Sequence, residues 1–328
     1  MSAKPNPRVG LFVTCLVDAI RPGIGFAAIQ LLKEAGCRVE VPQAQTCCGQ
    51  PALNSGDDKD AADLARRTIA AFEGHDYVVL PSGSCAGTMV HAYPELLAGD
   101  PEWAARARDF AARTHEITSF LVDVMGYRPQ GRRLDATATY HDSCAGLREL
   151  GIAAQPRALL ASVEGLEMRG LEGNDVCCGF GGTFCVKYSS ISNAIVTEKA
   201  EAVERTGADL LLSGDLGCLM NMAGKLQRRG SSVRVFHTVE VLAGAAEMPG
   251  QPRAMLGDEA VIEELDFLER RRPDLRVLRQ HLAEPGGPCL LRPDPDDRGL
   301  LRRPLAVPLR QRHGAPSTPG TPPSGGAG

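Results

Sequence analysis

Hydrophobic and polar positions alternate with two different periods along the chain up to residue 246. In the first half, short hydrophobic runs predict strands over 8–16, 37–41 and 76–80, and apolar residues spaced three or four apart predict helices over 25–35 and 60–72. Each helical pattern stops close to a glycine, as helices commonly do. Strands that alternate with helices form parallel sheets covered on both faces, so this pattern predicts an α/β fold.

The second half repeats the order of the first. Its strands and helices are predicted, in chain order, over 136–141, 156–163, 166–171, 192–205, 208–213, 219–229 and 233–237. We therefore expect two repeated Rossmann-like halves, each with a small parallel sheet, over residues 1–130 and 131–246.

The pattern changes after residue 246. Residues 258–271 keep a helical spacing of apolar positions, and we expect a helical extension over 247–284. Residues 285–328 hold ten of the 23 prolines and end in Pro-Ser-Gly-Gly-Ala-Gly. That composition predicts a disordered C-terminal tail without active-site residues.

Cysteines recur at matching places in the two halves. Each half has a single cysteine, a Cys-Cys-Gly triplet after 31 or 32 intervening residues, and another single cysteine that 36 residues in the first half, or 39 in the second, separate from the Cys-Cys pair. The matched cysteines are Cys15, Cys47, Cys48 and Cys85 in the first half and Cys144, Cys177, Cys178 and Cys218 in the second. Each cysteine or pair follows a predicted strand, and ligands of such sheets bind beyond the carboxyl ends of the strands. We expect each set of four to meet at one sheet edge.

Four thiolates are the number that a tetrahedral metal ion or an iron-sulfur cluster requires. Zinc sites and thiol-disulfide enzymes more often use Cys-x-x-Cys, which does not occur in this sequence. Adjacent cysteines also bridge only with severe strain. We interpret the eight cysteines as ligands of one or two iron-sulfur clusters, most simply [4Fe-4S]. A zinc scaffold and a cluster-free thiol enzyme remain open alternatives.

The other three cysteines have different expected roles. Cys37 lies on a predicted strand and is expected in the core. Cys289 lies in the tail and is expected to have no role. Cys185 has no counterpart in the first half and is a weaker candidate for contact with a cluster.

Polar residues near the cysteines have two interpretations. His141 and Asp142, and likewise His237, can contact a cluster or serve only the structure at a strand end. Ser82 and Ser84 are candidate donors to cluster sulfide. Glu198 and Lys199 are expected on a solvated helix face.

Composition narrows the class of protein. A net charge of -4 over 328 residues gives no support for nucleic-acid or membrane-surface binding. A polar N-terminus and the lack of an apolar run of about 18 residues predict a cytoplasmic protein without a transmembrane segment. No Gly-x-Gly-x-x-Gly fingerprint marks a nucleotide site at a strand-helix junction. No catalytic residue is assigned.

Longer motifs surround the cysteines. They read Phe12-Val13-Thr14-Cys15, Cys47-Cys48-Gly49-Gln50-Pro51-Ala52, Ser84-Cys85, Pro101-Glu102-Trp103, Thr118-Ser119-Phe120 and Cys177-Cys178-Gly179-Phe180-Gly181-Gly182. The doubled Cys-Cys-Gly signature resembles the domain found in the cysteine-rich component of heterodisulfide reductase and in the iron-sulfur component of glycolate oxidase. The closer resemblance, over residues 8 to 245, is to the lactate utilisation protein A family.

That resemblance implies an iron-sulfur, electron-transfer component of a complex that oxidises L-lactate to pyruvate, rather than a complete enzyme alone. It implies other subunits as partners, including a second iron-sulfur protein. A component like that of glycolate oxidase or of heterodisulfide reductase, and a thiol-disulfide redox protein, are the alternatives. In the heterodisulfide reductase component a fifth cysteine follows the fourth by three residues, whereas Thr88 and Asn221 stand there in this sequence. The resemblance therefore does not extend to a five-thiolate cluster or to heterodisulfide cleavage.

Overall fold

The structure is a computed structural model that describes residues 5–246. The predicted helical extension over 247–284, the predicted tail over 285–328 and Cys289 lie outside the described residues.

Two four-stranded sheets, parallel throughout, organise the described residues. Their strand orders are β2-β1-β3-β4 and β6-β5-β7-β8, so the second sheet repeats the topology of the first. The strands are β1 Arg8–Leu11, β2 Arg38–Glu40, β3 Tyr77–Leu80, β4 Thr114–Glu116, β5 Arg133–Tyr140, β6 Glu164–Arg169, β7 Leu210–Ser213 and β8 Arg234–His237. The predicted α/β class with two repeated parallel sheets is confirmed.

Helices connect the strands in both halves. In the first they are α1 Cys15–Ile20, α2 Gly23–Glu34, α3 Gln50–Leu53, α4 Asp58–Ala71, α5 Gly83–Gly87, α6 Tyr93–Leu96, α7 Trp103–Ala112 and α8 Ile117–Ser119. In the second they are α9 Cys144–Arg148, α10 Ala154–Leu160, α11 Phe184–Lys187, α12 Ser189–Arg205, α13 Leu216–Arg228 and α14 Thr238–Leu242. The segments Thr88–Ala92 and Phe120–Val124 are π-helical.

The strand predicted over 8–16 ends early. Strand β1 stops at Leu11, and α1 begins at Cys15 because the Thr14 hydroxyl accepts a hydrogen bond from the Val17 N–H and caps the helix. The periodicity did not predict β4, whose Thr-His-Glu sequence contains no hydrophobic run.

A shared hydrophobic core joins the two halves. The largest buried cluster includes Leu11 and Phe120 from the first half and Leu160 and Leu212 from the second. At its edge the Arg21 guanidinium donates to the Glu240 carboxylate at 2.8 Å, both side chains being largely buried. Because packing between the halves fixes their relation, it also fixes how the two cysteine sets lie relative to one another.

Among residues 5–246, the structure contains no helix that combines the length and the apolar character needed to cross a bilayer.

Candidate metal centres

The four cysteines of the first half meet at the carboxyl edge of its sheet. Cys15 opens the helix after β1, Cys47 and Cys48 lie in the loop after β2, and Cys85 lies in the helix after β3. The Cys15 and Cys47 Sγ atoms are 3.8 Å apart, and the Cys48 and Cys85 Sγ atoms are 3.4 Å apart. Three separate chain segments thus present four sulfur atoms to one point.

The second half builds the same arrangement. Cys144 opens α9, Cys177 and Cys178 lie in the loop after β6, and Cys218 lies in the first turn of α13. The Sγ atoms of Cys178 and Cys218 lie within 4.8 Å of one another, and the thiols of Cys144, Cys177 and Cys178 are close enough to shift one another's pKa. The structure therefore brings together all eight cysteines of the predicted site as two sets of four. Their role as ligands stays a prediction.

Glycine allows each Cys-Cys loop to turn sharply. Gly49 and Gly179 have φ of +84° and +81°, in the left-handed region that favours glycine. A Cβ atom at position 179 would also lie 2.8 Å from the Ser192 carbonyl oxygen. The loops are fixed further by side chains, because the Tyr93 hydroxyl donates to the Cys48 carbonyl (2.9 Å) and the Asn221 amide donates to the Cys178 carbonyl (2.8 Å).

Side chains also tie the first-cysteine loop to the Cys-Cys loop in each half. In the first, the Val13 N–H donates to the Gln45 side-chain oxygen at 2.8 Å. In the second, the Asn174 amide donates to the Asp142 carboxylate at 2.5 Å, and Arg157 binds the same carboxylate at 2.9 and 2.7 Å. Asp142, whose role was open, therefore positions the loop that carries Cys177.

The thiols of each set differ in pKa, and one cysteine in each set ionises more easily than its neighbours. Hydrogen bonds from Cys15 and Cys48 lower the pKa of Cys47 to about 3. Hydrogen bonds to Cys47 and Cys85, together with burial, raise the pKa of Cys48 well above its ordinary value. In the second set the thiols of Cys144 and Cys178 likewise lower the pKa of Cys177 to about 2.

One thiolate forms readily in each set, and its neighbours then retain their protons because like charges repel at these distances. Four thiolates can coexist only if a cation compensates them. A metal ion or an iron-sulfur group supplies that charge. The donor set of each half therefore fits such a cofactor.

The two sets lie side by side. Asp215, which caps α13, accepts hydrogen bonds from the Ser82 hydroxyl at 3.1 Å and from the Ser84 N–H at 3.0 Å. Helices α5 and α9 also touch, since a Cβ atom at Gly83 would lie 2.9 Å from the Gly146 Cα atom. Ser82 and Ser84, the candidate donors to cluster sulfide, link the helix of Cys85 to the second half through Asp215, and a role toward a cluster stays a prediction.

Two buried side chains beside the second set were underestimated from the sequence. Lys199 was expected to be solvated but is only 4% exposed, and its ammonium donates to the Gly173 carbonyl. Burial lowers the pKa of Lys199, while the nearby Cys178 acts in the opposite direction. His141 is fully buried at the end of β5, and burial lowers the pKa of its imidazole to about 4. The helical spacing offered a signal, because Lys199 lies three residues after Val196 and four before Val203, both buried on the same face of α12.

The remaining candidates have structural contacts. Cys37 is buried in the main core, as expected. The Cys185 thiol donates to the Gly182 carbonyl oxygen at 3.3 Å. His237 caps α14, and its Nδ1 atom accepts a hydrogen bond from the Val239 N–H.

Comparisons with known proteins agree on a family. A family model described as a cysteine-rich domain, CCG, matches residues 9–90 and 138–223. The chain is 49% identical to lactate utilization protein A of Bacillus velezensis and 48% identical to that of Bacillus subtilis, in each case over 72% of this chain and 98% of the relative. Among solved structures, a hypothetical protein from Helicobacter pylori superposes with a TM-score of 0.53 at 11% identity, over 76% of this chain and 51% of that one. That likeness concerns the fold alone.

Proposed function

Because the chain belongs to the lactate utilization protein A family, whose cysteine-rich CCG domain it carries twice, we propose that it is an iron-sulfur, electron-transfer component of a complex that oxidises L-lactate to pyruvate. The reaction would take place on a partner, and this chain would receive the electrons. The observation that carries the proposal is the close approach of cysteine sulfur atoms in each half, at 3.8 and 3.4 Å in the first set and within 4.8 Å for Cys178 and Cys218 in the second.

Oxidation of the lactate hydroxyl to the pyruvate ketone releases two electrons and two protons. Iron-sulfur groups, when bound, exchange electrons one at a time. Two adjacent sets of cysteines suit that stoichiometry, because two centres together accept one electron pair. We therefore propose two clusters, one held by Cys15, Cys47, Cys48 and Cys85, and one held by Cys144, Cys177, Cys178 and Cys218. We propose the [4Fe-4S] form, which four cysteines can hold, as they can hold the [2Fe-2S] form.

The protein positions the sulfurs for electron exchange with partners. Cys15 is exposed whereas Cys48 and Cys85 are buried, so the first set extends from the surface into the core. The sequence provides no nucleotide fingerprint for a flavin. We propose that other subunits, including a second iron-sulfur protein, supply the substrate site and further electron carriers.

The cofactor is tested by anaerobic purification followed by assays of iron and acid-labile sulfide and by paramagnetic resonance of the reduced protein. We expect iron and sulfide in comparable amounts and signals from two centres. Stoichiometric zinc without sulfide would contradict the proposal.

A zinc site is a second candidate, favoured by one observation. In a tetrahedral site with zinc-sulfur bonds of about 2.3 Å, neighbouring sulfurs lie about 3.8 Å apart, and the Cys15 to Cys47 separation is 3.8 Å. A cluster needs the loops to move apart when it binds. The metal and sulfide assays separate the two candidates, since zinc brings no sulfide and no visible absorption.

The substrate is tested on the intact complex. Anaerobic capture of this chain with its bound subunits should give a coloured assembly whose visible absorption bleaches on addition of L-lactate. Glycolate is the matched control, because it carries the same 2-hydroxy acid group without the methyl group. Bleaching by glycolate and not by L-lactate would assign the chain to the other oxidase.

A further inference from the structure

His141 is held in place beside the second set of cysteines. It directly follows β5, and its N–H donates to the Leu212 carbonyl of β7 at 2.9 Å. Its side chain has 0% exposure. The backbone bond and the surrounding core leave the imidazole little freedom to turn.

Neither ring nitrogen of His141 has a hydrogen-bond partner among residues 5–246. A neutral imidazole carries one donor and one acceptor, and leaving both unpaired in a core is unfavourable. Buried polar groups in native proteins almost always find a partner. An imidazole in this position therefore indicates a group that the polypeptide itself does not provide.

The position of the ring identifies that group. A ring nitrogen of His141 and the Sγ atoms of Cys178 and Cys218 all lie within 4.8 Å of one another, and all three residues are buried. Imidazole nitrogen and thiolate sulfur occur together as ligands of zinc and of some iron-sulfur centres. The three atoms have the spacing of donors to a shared metal.

The first half has no such nitrogen. The residue three positions before its first cysteine is Phe12, where the second half has His141. The Phe12 ring packs on Phe72 with centroids 5.7 Å apart, inside an apolar cluster. A purely structural requirement at this strand end is thus met by a hydrocarbon ring, which leaves the imidazole to be explained by its chemistry.

We propose that a ring nitrogen of His141 is a ligand of the metal group at the second set of cysteines. A cubane cluster and a tetrahedral zinc ion each take four protein ligands, so the nitrogen takes the position of one of the four thiols assigned to that group above. The second site then has mixed sulfur and nitrogen ligation, and the first is all sulfur. This inference rests on the proposed function only in requiring that the cysteines hold metal. It gives the two sites different electronic properties although each set has four cysteines.

The direct test labels histidine with 15N and records pulsed paramagnetic resonance of the reduced, anaerobically purified protein. We expect one strongly coupled nitrogen, with the isotope change in its spectrum, on one of the two centres. Only weak coupling, of the size given by an N–H donor to sulfur, would overturn the proposal.

Variants assign the nitrogen to His141. His141→Phe reproduces the first half and should abolish the coupling, whereas His237→Asn, at another buried histidine of the same half, should leave it intact. His141→Cys offers sulfur in place of nitrogen, and should retain metal, lose the coupling and lower the reduction potential of that centre. Persistence of the strong coupling in His141→Phe or His141→Cys would refute the assignment.

Metal analysis separates this test from failure of the proposed function. If the purified protein holds zinc and no sulfide, the electron-transfer proposal fails, but X-ray absorption at the zinc edge still counts nitrogen and sulfur ligands. The proposal is supported if the zinc ligands, averaged over both sites, include nitrogen in the unsubstituted protein and are all sulfur in His141→Cys. An all-sulfur shell in the unsubstituted protein refutes it.

Discussion

Each half presents a corresponding set of four cysteine sulfurs, but the side chains around the two sets differ. At the first set, Phe12 and Thr68 occupy positions that His141 and Lys199 occupy at the second. Thr68 and Lys199 correspond because each lies four residues beyond the side chain that packs on the glycine of its Cys-Cys-Gly triplet, Leu64 or Ile195. The repeated fold thus keeps the four cysteines in both halves and changes the side chains around them. Such neighbouring side chains alter the affinity and the reduction potential of a metal centre.

The largest expected effect is loss of one site without the other. Cys47→Ser should empty the first set, and Cys178→Ser the second, because each removes a sulfur that lies beside other sulfurs of its set. We expect each variant to hold about half of the iron of the unsubstituted protein by metal analysis. Cys289→Ser, a cysteine outside both sets, is the control and should lose none.

If either single substitution empties both sets, the two halves form one shared site. The comparison between two independent centres would then fail. Resonance spectra of the two variants give a second check, since each should retain the signal that the other lacks.

The next effect concerns the helix caps that correspond in the two halves. Asp215→Ala removes the cap of α13 and leaves Ser82, Ser84 and Gly217 without their acceptor. We expect a loss of about 3 kcal/mol in the free energy of unfolding, from one cap and several orphaned donors. Ser82→Ala, at the corresponding cap of α5, should lose about 1 kcal/mol. Denaturation of the anaerobic protein measures both, and equal losses would show that Asp215 does not link the halves.

The sequence predicted the repeat, the fold class and the eight cysteines, because each carries a local signal. Strand periods and a doubled Cys-Cys-Gly triplet are visible without coordinates. Asp215 and Gln45 lack such a signal, since their roles depend on contacts between segments distant in the chain. Lys199 lies on the apolar face of α12, but its charge favoured a solvated position. The end of β1 was misplaced because β-branched Val13 and Thr14 favour a strand locally, whereas the Thr14 hydroxyl caps a helix.

A pH comparison uses another corresponding pair, Glu116 and His237, which cap the helices after β4 and β8. Burial raises the pKa of Glu116 to about 7, with Asp215 also raising it. Burial lowers the pKa of His237 to about 4, Asp215 opposing this and Arg21 adding to it. Both groups are therefore uncharged in the folded protein near pH 5 to 6.

The two pKa shifts have opposite consequences. Glu116 stabilises the fold below its unfolded pKa, and that contribution is lost as the pH rises through about 7. His237 contributes above its unfolded pKa, and its contribution is lost as the pH falls through about 4. Each effect amounts to at most about 3 kcal/mol.

Glu116→Gln, which keeps an oxygen for the Thr118 N–H, should therefore flatten the stability profile between pH 4.5 and 7. His237→Asn, which also retains a capping oxygen, should flatten it between pH 6.5 and 4. Denaturation midpoints across pH 4 to 8 measure both. The opposed roles would be disproved if both variants removed a loss of stability on the same side of the profile, that is, both at rising pH or both at falling pH.

The smallest effect tests the charge difference between the two centres. Lys199→Met removes a buried cation that lies near Cys177 and Cys178, and a cation favours the more negative, reduced state of a bound group. We expect the reduction potential of the second centre to fall by roughly 60 mV, a tenfold change for one electron, while that of the first stays constant.

Lys199→Arg keeps the charge and should restore most of the potential. Lys225→Met, at a partly exposed cation of the same half that binds the Asn193 side chain, is the control and should change neither potential. An equal shift of both potentials in Lys199→Met would mean that the ammonium affects both centres alike. The distinction between an apolar first site and a second site beside a buried cation would then no longer hold.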